Sequence, residues 1–165
     1  MDIIVSTPDL SDKFDKQINI VKPLFTHYGG LKQGFGKITT IACFEDNSLV
    51  AEQVKLPGYG GVLVVDGQAS LRCSLLGDQL MAAAIDNGWS GILINGCIRD
   101  VEIISPMSLM VMALASIPRK TVKAGKGHLN IPLTFAGVTF YPGHYLFADK
   151  TGIIVAENNL LASSK

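Results

Sequence analysis

The stretch VLVVDGQASLRCSLLGDQLMAAAIDNGWSGILIN, residues 62–95, decides the fold of this chain. At its start, GVLVVDG (61–67) is a short apolar run rich in β-branched residues, which is typical of a buried strand. LLGDQLMAAAIDNG (75–88) predicts a helix that ends at Gly88, and GILING (91–96) predicts a second buried strand. The pattern therefore predicts a βαβ unit at 62–95, with two parallel strands and a crossover helix.

The remaining segments predict short helices and strands in an α/β fold with a β-rich C-terminal third. Predicted helices are STPDLSDKF (6–14), with Ser6 or Thr7 as cap, and NSLVAEQV (47–54). Predicted strands are GKITTIACF (36–44) and SLMVMALASI (108–117). The segment 131–157 breaks into short strands at Ala-Gly, Pro-Gly and Lys-Thr-Gly turns. Trp89, Met110 and Met112 are interpreted as core or subunit-contact residues.

Size and charge narrow the class of protein. A chain of 165 residues, 48% hydrophobic and 17% charged, predicts a single domain over 1–165. Fourteen basic and 14 acidic residues leave no net field for nucleic acid or an anionic membrane. The N-terminus carries an acid where a signal peptide is basic, and the longest charge-free run, 103–118, is too short to span a bilayer. A soluble, cytoplasmic protein is expected.

The cysteines predict neither a disulfide framework nor a zinc site. Cys43, Cys73 and Cys97 are odd in number, far apart and outside any Cys-x-x-Cys arrangement. No histidine has a spacing that favours a cysteine nucleophile. Three reduced, buried thiols are expected.

Charged residues stand at both ends of the stretch that runs from the start of the predicted helix to just beyond the second strand. Asp78 lies at the start of the helix, and Arg99 and Asp100 follow the strand. In a βαβ unit these positions share one edge of the sheet, where ligands of open α/β sheets bind. The unpaired N–H groups at 77–80 and the positive end of the helix dipole suit an anion. We predict a site with an anion cradle, one cation and two carboxylates that can hold a divalent metal.

Spacing alone leaves two plainer interpretations open. Asp78 in a first helical turn is often only a compensating acid for the helix dipole. Arg99 and Asp100 as neighbours often form a solvated turn with a local ion pair. A βαβ unit makes convergence of the three residues possible without requiring a function.

Longer segments resemble a known family. They are 58–102 and 131–155, together with PLFTHYGG (23–30) and ACFEDN (42–47). They are similar to the family that contains the regulator of ribonuclease E activity A and the related 4-hydroxy-4-methyl-2-oxoglutarate aldolases. The aldolase branch is marked by an aspartate, twenty residues and then Arg-Asp, and here Asp78 is followed by twenty residues and then Arg99 and Asp100. The resemblance favours the functional interpretation of these residues.

What the resemblance implies is a class II, metal-dependent aldolase that cleaves 4-hydroxy-4-methyl-2-oxoglutarate and related 4-hydroxy-2-oxo acids to release pyruvate. Oxaloacetate decarboxylation is expected as a side activity, because both reactions pass through the pyruvate enolate. Arg99 would bind the 2-oxo acid and stabilise enolate charge, Asp100 would bind Mg²⁺ or Mn²⁺, and Asp78 would position metal-bound water. The substrate carboxylate would face the backbone of Gly77, Asp78, Gln79 and Leu80. No Schiff-base lysine is required.

The same resemblance implies homotrimeric rings with sites between subunits. It also implies stacked β-sheets with flanking helices, similar to swivelling phosphohistidine domains. Two features depart from the family pattern. An acid often stands three residues after the aspartate of the Arg-Asp pair, whereas here that position is Ile103 and the acid is Glu102. The chain also ends at Lys165, without the extension through which longer aldolases lend a glutamate to a neighbouring subunit, so slower catalysis or a different physiological substrate is expected.

A basic segment, RKTVKAGKGH (119–128), contains Arg119, Lys120, Lys123 and Lys126. It is interpreted as a solvated loop or as a docking patch for an acidic partner, away from the chemistry. A second class of function therefore stays open, in which the protein binds and inhibits ribonuclease E without catalysis.

Overall fold

The structure is a computed structural model, and it describes residues 4–162. Its α-helices are α1 (Thr7–Phe14), α2 (Ser48–Val54), α3 (Asp78–Asp86) and α4 (Val101–Ile104), and a 3-10 helix covers Asp15–Gln17. Its strands are β1 (Ile18–Ile20), β2 (Thr26–His27), β3 (Gly34–Ala42), β4 (Val62–Asp66), β5 (Ser74–Leu76), β6 (Gly91–Ile98), β7 (Met110–Ser116), β8 (His128–Leu129), β9 (Leu133–Phe135), β10 (Val138–Phe140), β11 (Tyr145–Ala148) and β12 (Ile153–Ala156).

One large mixed sheet organises the fold. Ten strands form it, in the order β1-β12-β11-β3-β4-β6-β7-β2, with β5 paired to β6 and β8 paired to β3. Strand β3 joins the two halves, because residues 34–37 pair antiparallel with β11 whereas residues 38–42 pair parallel with β4. Strands β9 and β10 form a separate two-stranded sheet. The parallel strands β4, β6 and β7 lie at the centre of the half that contains the predicted βαβ unit.

Both faces of the parallel strands are covered. On one face, Leu63 and Val65 of β4 pack in a cluster with residues of α2 and α3. On the other face, Val62 and Val64 pack with residues of β9 to β12. Side chains alternate between the faces of a strand, so a strand buried on both sides must be apolar throughout. This explains why all eight residues of β6 are buried.

The predicted βαβ unit is present, with one correction to its helix. Strands β4 and β6 pair in parallel and α3 lies between them in sequence. The helix predicted over 75–88 begins only at Asp78, because Ser74–Leu76 forms β5 and pairs with the carboxyl end of β6. Gly77 separates the two elements as the N-cap of α3. Gly88 follows the helix with φ +78°, a left-handed conformation that glycine adopts without strain.

Most other predicted elements are found. Helix α1 is capped by Ser6, whose hydroxyl accepts from the N–H of Asp9 at 3.3 Å, and α2 begins after Asn47. The C-terminal third forms short strands with turns at the predicted Ala-Gly, Pro-Gly and Lys-Thr-Gly positions. The predictions missed β1, β2, β8 and α4. The α/β class with stacked sheets and flanking helices is confirmed. Among the helices of residues 4–162, none has the length and hydropathy of a membrane-spanning segment.

The cysteines and the large apolar residues are in the core, as predicted. Cys43, Cys73 and Cys97 are free and buried. Burial, followed by the nearby charges of Asp46 and Asp66, raises the pKa of the Cys43 thiol to about 12, so it stays protonated at neutral pH. Trp89, Met110 and Met112 are buried as well.

Candidate active site

Strand β5 and strand β6 bring the predicted site residues together. Leu76 at the end of β5 is the register partner of Ile98 at the end of β6, and the N–H of Arg99 donates to the Leu76 carbonyl at 2.9 Å. When two parallel strands end in register, the residues that follow them lie side by side. Asp78 therefore lies beside Arg99 and Asp100. The convergence expected from the sequence is found, with β5 rather than β4 as the strand that positions Asp78.

The carboxylate of Asp100 lies against the start of α3. Its Oδ2 accepts from the N–H of Asp78 at 3.1 Å and is 4.0 Å from Nε of Arg99. Asp100 has φ 59°, a left-handed conformation that aspartate tolerates better than most residues. A Cβ at Gly77 would lie 2.5 Å from the same oxygen. Asp100 thus caps the helix across space, and it can do so because residue 77 has no side chain.

The anion cradle at the start of α3 is smaller than predicted. Because the N–H of Asp78 donates to Asp100, the remaining donors of the first turn are the N–H groups of Gln79 and Leu80, which have no hydrogen-bond partner among residues 4–162. The N–H of Met81 already donates to the Gly77 carbonyl. Two adjacent N–H groups at a positive helix end suit one carboxylate of a ligand.

A cavity of about 170 Å³ contains the predicted set. It is lined by the six residues predicted from the sequence, Gly77, Asp78, Gln79, Leu80, Arg99 and Asp100. Its other lining residues are Asn47, Ser74, Leu76, Lys120 and Lys123. Glu102, the acid closest to the expected family position, is exposed and does not line the cavity.

Two lysines of the basic segment are part of this cavity, which neither sequence interpretation of that segment foresaw. Ser74 of β5 forms a parallel bridge with Lys120, and its N–H donates to the Arg119 carbonyl at 2.7 Å. The segment therefore continues past β5 along the cavity, where Lys120 and Lys123 form a basic wall. The local pattern of 119–128 does not predict this contact, because it depends on pairing with a strand some 45 residues earlier.

The carboxylates of the cavity fit a hard divalent cation with few protein ligands. Within residues 4–162 no group of three or more His, Cys, Asp and Glu side chains is arranged to hold a metal, so these residues do not provide a closed four-ligand zinc site. Mg²⁺ and Mn²⁺ bind oxygen ligands, and Mg²⁺ commonly keeps several waters with one or two carboxylates. Asp100 meets this need, because its Oδ1 accepts no hydrogen bond from the described part of the chain. Asp78 supplies a second carboxylate at the cavity wall.

Comparison with known proteins places the chain in a family. The family model described as RraA-like, Aldolase/RraA, matches residues 7–155. A protein of Pseudomonas fluorescens (strain Pf0-1), named "Putative 4-hydroxy-4-methyl-2-oxoglutarate aldolase", is 54% identical over 154 residues, which is 93% of this chain and 94% of that protein. A relative of the same name from Ectopseudomonas mendocina (strain ymp) is 56% identical over 154 residues, covering 93% of this chain and 95% of that protein.

Among solved structures, the RNA-processing inhibitor RraA from Thermus thermophilis matches with a TM-score of 0.91 and 36% identity, over 94% of each chain. A structure from Geobacillus kaustophilus HTA426, described as an S-adenosylmethionine:2-dimethylmenaquinone methyltransferase, matches with a TM-score of 0.92 and 43% identity, over 95% of this chain and 98% of that one. The names of these similar proteins describe different activities, so the activity of this chain has to be argued from its cavity. Their likeness over nearly the full length settles a different point: this chain belongs to the Aldolase/RraA family.

Proposed function

We propose that this protein is a class II, divalent-metal-dependent aldolase that cleaves 4-hydroxy-4-methyl-2-oxoglutarate, and related 4-hydroxy-2-oxo acids, to pyruvate and a second oxo acid. The observation that carries the proposal is that one cavity contains Asp78, Arg99 and Asp100, with Asp100 capping α3, together with two free backbone N–H groups. The aldolase names of relatives more than 50% identical to this chain support the substrate.

The cavity offers separate positive groups for the two carboxylates of such a substrate. Gln79, Leu80 and Arg99 all line the cavity, and two free backbone N–H groups with a guanidinium suit the carboxylate and oxo oxygen of the 2-oxo acid. Lys120 and Lys123 lie on the basic wall and suit the second carboxylate. A dicarboxylic substrate would therefore be held at both ends.

Aldol cleavage needs a base and a stabiliser of negative charge. Breaking the C3–C4 bond takes the proton from the C4 hydroxyl group and leaves the bonding electrons on the pyruvate half as an enolate, which then takes up a proton at C3. Asp78 has a carboxylate at the cavity wall with no hydrogen bond to a side chain of the described residues, so it can accept this proton directly or through water. Arg99 lines the same cavity and would supply a permanent positive charge to the developing enolate oxygen. Decarboxylation of oxaloacetate gives the same enolate, and we propose it as a side activity.

Asp100 would hold the divalent ion, and Asp78, which lines the same cavity, would position metal-bound water. When bound, Mg²⁺ or Mn²⁺ would supply Lewis-acid stabilisation of the developing negative charge, which is worth several kcal/mol. Homotrimer formation and a cytoplasmic location belong to the same proposal. The family resemblance supports the first, and three free, buried thiols support the second, because disulfides are rare in the cytoplasm.

Removal of divalent ions is expected to stop the reaction. In excess EDTA, pyruvate release from 4-hydroxy-4-methyl-2-oxoglutarate should fall to background, and Mg²⁺ or Mn²⁺ added beyond the chelator should restore it, because carboxylates and water are hard ligands. Pyruvate is measured with a coupled dehydrogenase, which is tested separately on added pyruvate in EDTA. Full turnover in excess EDTA would contradict the proposed metal-dependent mechanism.

A side chain at residue 77 is expected to weaken metal binding. Gly77→Ala places a Cβ 2.5 Å from Oδ2 of Asp100, so the carboxylate must turn away. We expect the affinity for Mn²⁺, measured by calorimetry, to fall by about tenfold or more, as when the supports of a ligand are removed. Gly152→Ala is the matched control, since nothing lies within 4 Å of its Cβ position. Equal affinities in the two variants would show that Asp100 is not a ligand.

The basic wall is expected to set substrate affinity. Replacing Lys120 and Lys123 with alanine should raise KM for the dicarboxylic substrate by about tenfold or more, because a hydrogen bond to a charged group is worth roughly 1.5–3 kcal/mol. Lys126→Ala is the control, since its side chain does not line the cavity. This expectation differs from the one drawn from the sequence, in which all three lysines lie away from the chemistry. Unchanged kinetics in the double variant would favour the sequence-based interpretation instead.

Binding to ribonuclease E without catalysis is the second candidate. The structural match to an RNA-processing inhibitor favours it. A wild-type protein that binds ribonuclease E tightly and releases no pyruvate under any metal condition would make this the correct function.

A further inference from the structure

The basic wall cannot be held in place by hydrophobic packing. Residues 122–128 are all exposed, and Val122 is 83% exposed. Thr121 is the buried residue of the segment, with 8% exposure. A segment with so little apolar burial has to be ordered by polar contacts if its lysines are to keep a fixed position.

One polar contact is the hydrogen bond from Ser74 of β5 to the Arg119 carbonyl, and the others come from residues 46–48, at the start of α2. Oδ2 of Asp46 accepts from the N–H of Ala124 at 2.9 Å and from the N–H of Lys126 at 3.0 Å. The next two residues add a contact each: Asn47 Oδ1 accepts from the Thr121 hydroxyl at 2.7 Å, and the Ser48 hydroxyl oxygen accepts from the N–H of Gly125 at 3.0 Å. Three consecutive side chains thus hold one side of the wall.

Asp46 is central to this arrangement because it is buried and fully used. It is 4% exposed, and its Oδ1 accepts from both the N–H and the hydroxyl of Ser48, at 2.9 and 2.5 Å. Burial by itself would raise the pKa of Asp46, but the hydrogen bonds from Ser48, Lys126 and Ala124 outweigh it and lower the pKa to about 2. The group is therefore a carboxylate at neutral pH. An amide cannot replace it, since one of its ends would turn N–H donors toward N–H donors.

We propose that Asp46 is a positioning residue for substrate binding: it holds Lys120 and Lys123 over the cavity and so sets the affinity for the second carboxylate of a dicarboxylic 2-oxo acid. This inference rests on the proposed aldolase function. Asp46 does not line the cavity and acts through the lysine wall. Its loss should weaken binding of a two-carboxylate substrate far more than reaction of a one-carboxylate compound at the same site.

The test compares two reactions of the same variants. Cleavage of 4-hydroxy-4-methyl-2-oxoglutarate reports on the wall, whereas exchange of the methyl protons of pyruvate in D₂O, followed by NMR, needs one carboxylate only. For Asp46→Asn we expect KM for cleavage to rise about tenfold, kcat to stay within about threefold and pyruvate exchange to stay within about twofold. A change in pyruvate exchange as large as the change in KM would overturn the proposal.

Asp149→Asn is the matched control. The Asp149 carboxylate also accepts four hydrogen bonds, from the N–H and hydroxyl of Thr7 and from the N–H groups of Thr151 and Gly152, and it does not line the cavity. Asp149→Asn should lower the free energy of unfolding by an amount similar to Asp46→Asn and leave KM unchanged. If Asp46→Asn does not fold, Thr121→Val removes the hydroxyl contact to Asn47 with little change in shape and should raise KM in the same direction. Equal KM values for these variants and the Asp149 control would overturn the proposal.

A double-mutant cycle shows whether Asp46 acts through the lysines. In a protein with Lys120→Ala and Lys123→Ala, adding Asp46→Asn should raise KM by less than about twofold, because no lysine is left to position. A further tenfold increase would mean that Asp46 acts by another route, and the proposal would be wrong. A wild-type protein inactive in both reactions would overturn the aldolase function itself, and this inference with it, so the two failures are distinguishable.

Discussion

Replacement of Asp100 with alanine is expected to abolish both metal binding and pyruvate release. Asp100 lines the cavity, its Oδ2 accepts from the N–H of Asp78, and its Oδ1 accepts no hydrogen bond from the described residues. Removing a direct ligand leaves water and the carboxylate of Asp78, which hold a divalent ion poorly. If the bound ion supplies several kcal/mol to the reaction, as the proposed mechanism requires, kcat/KM should fall on the order of 10³-fold or more. Mn²⁺ titration by calorimetry and pyruvate release measure the two losses independently.

Loss of the helix cap has to be separated from loss of the ligand. Asp100→Ala also removes the acceptor for the first N–H of α3, which should lower the free energy of unfolding by about 1 kcal/mol. Asp100→Asn keeps an acceptor for that N–H but gives up the charge, so its stability should be nearer the wild type while its metal affinity stays low. Glu102→Ala, at an exposed acid two residues away, should behave as wild type. Metal-free Asp100→Ala protein that still cleaves substrate would refute the mechanism.

The same variant separates the two candidate functions. A recessed carboxylate contributes little to a protein interface, whose binding energy comes from a few exposed anchors. Asp100→Ala should therefore keep any affinity for ribonuclease E that the wild type has. If both activities are lost together with the fold intact, the cavity itself would be the binding surface for the nuclease.

The βαβ unit could be predicted because its signals are local. Runs such as VLVV and GILIN bury both faces, and the helix between them ends at a glycine. The sequence predicts a helix at the position of β5, and the reason is local. Leu75 and Leu76 continue the apolar spacing of α3, so no local signal separates β5 from that helix. Their strand pairing depends on the carboxyl end of β6, more than 20 residues later. Non-local pairing therefore decides the structure of that segment.

The same distinction explains which parts of the site can be predicted. Asp78, Arg99 and Asp100 could be predicted together because chain connectivity alone brings helix starts and strand ends to one edge. Lys120 and Lys123 could not, because their segment contacts distant parts of the chain: Lys120 pairs with Ser74 of β5, and the backbone near residue 125 hydrogen-bonds to Asp46. Such contacts leave no periodic trace in either segment.

Arg99→Lys is expected to lower kcat/KM by roughly 10²-fold while the fold stays intact, since removing one donor to a developing negative charge costs about 3 kcal/mol. Lysine keeps the charge but not the planar fork that can contact a carboxylate and an oxo oxygen at once. Arg99 lines the cavity, its Nε is 4.0 Å from Oδ2 of Asp100, and its Nη1 donates to the Pro118 carbonyl at 3.4 Å. Nη2 donates no hydrogen bond to the described residues, so it is available to a ligand. Steady-state kinetics of pyruvate release measure the effect.

Arg72→Lys provides the matched control for that variant. Arg72 is also paired with a carboxylate, that of Glu45, but it is exposed and lies outside the cavity. An exposed ion pair of this kind contributes little to stability, so its replacement should leave the kinetics unchanged. The comparison isolates the geometry of the fork from the loss of a surface ion pair. Near-normal kcat/KM in Arg99→Lys would mean that the charge alone is enough, and the oxo acid would then have to be oriented by the N–H groups of Gln79 and Leu80.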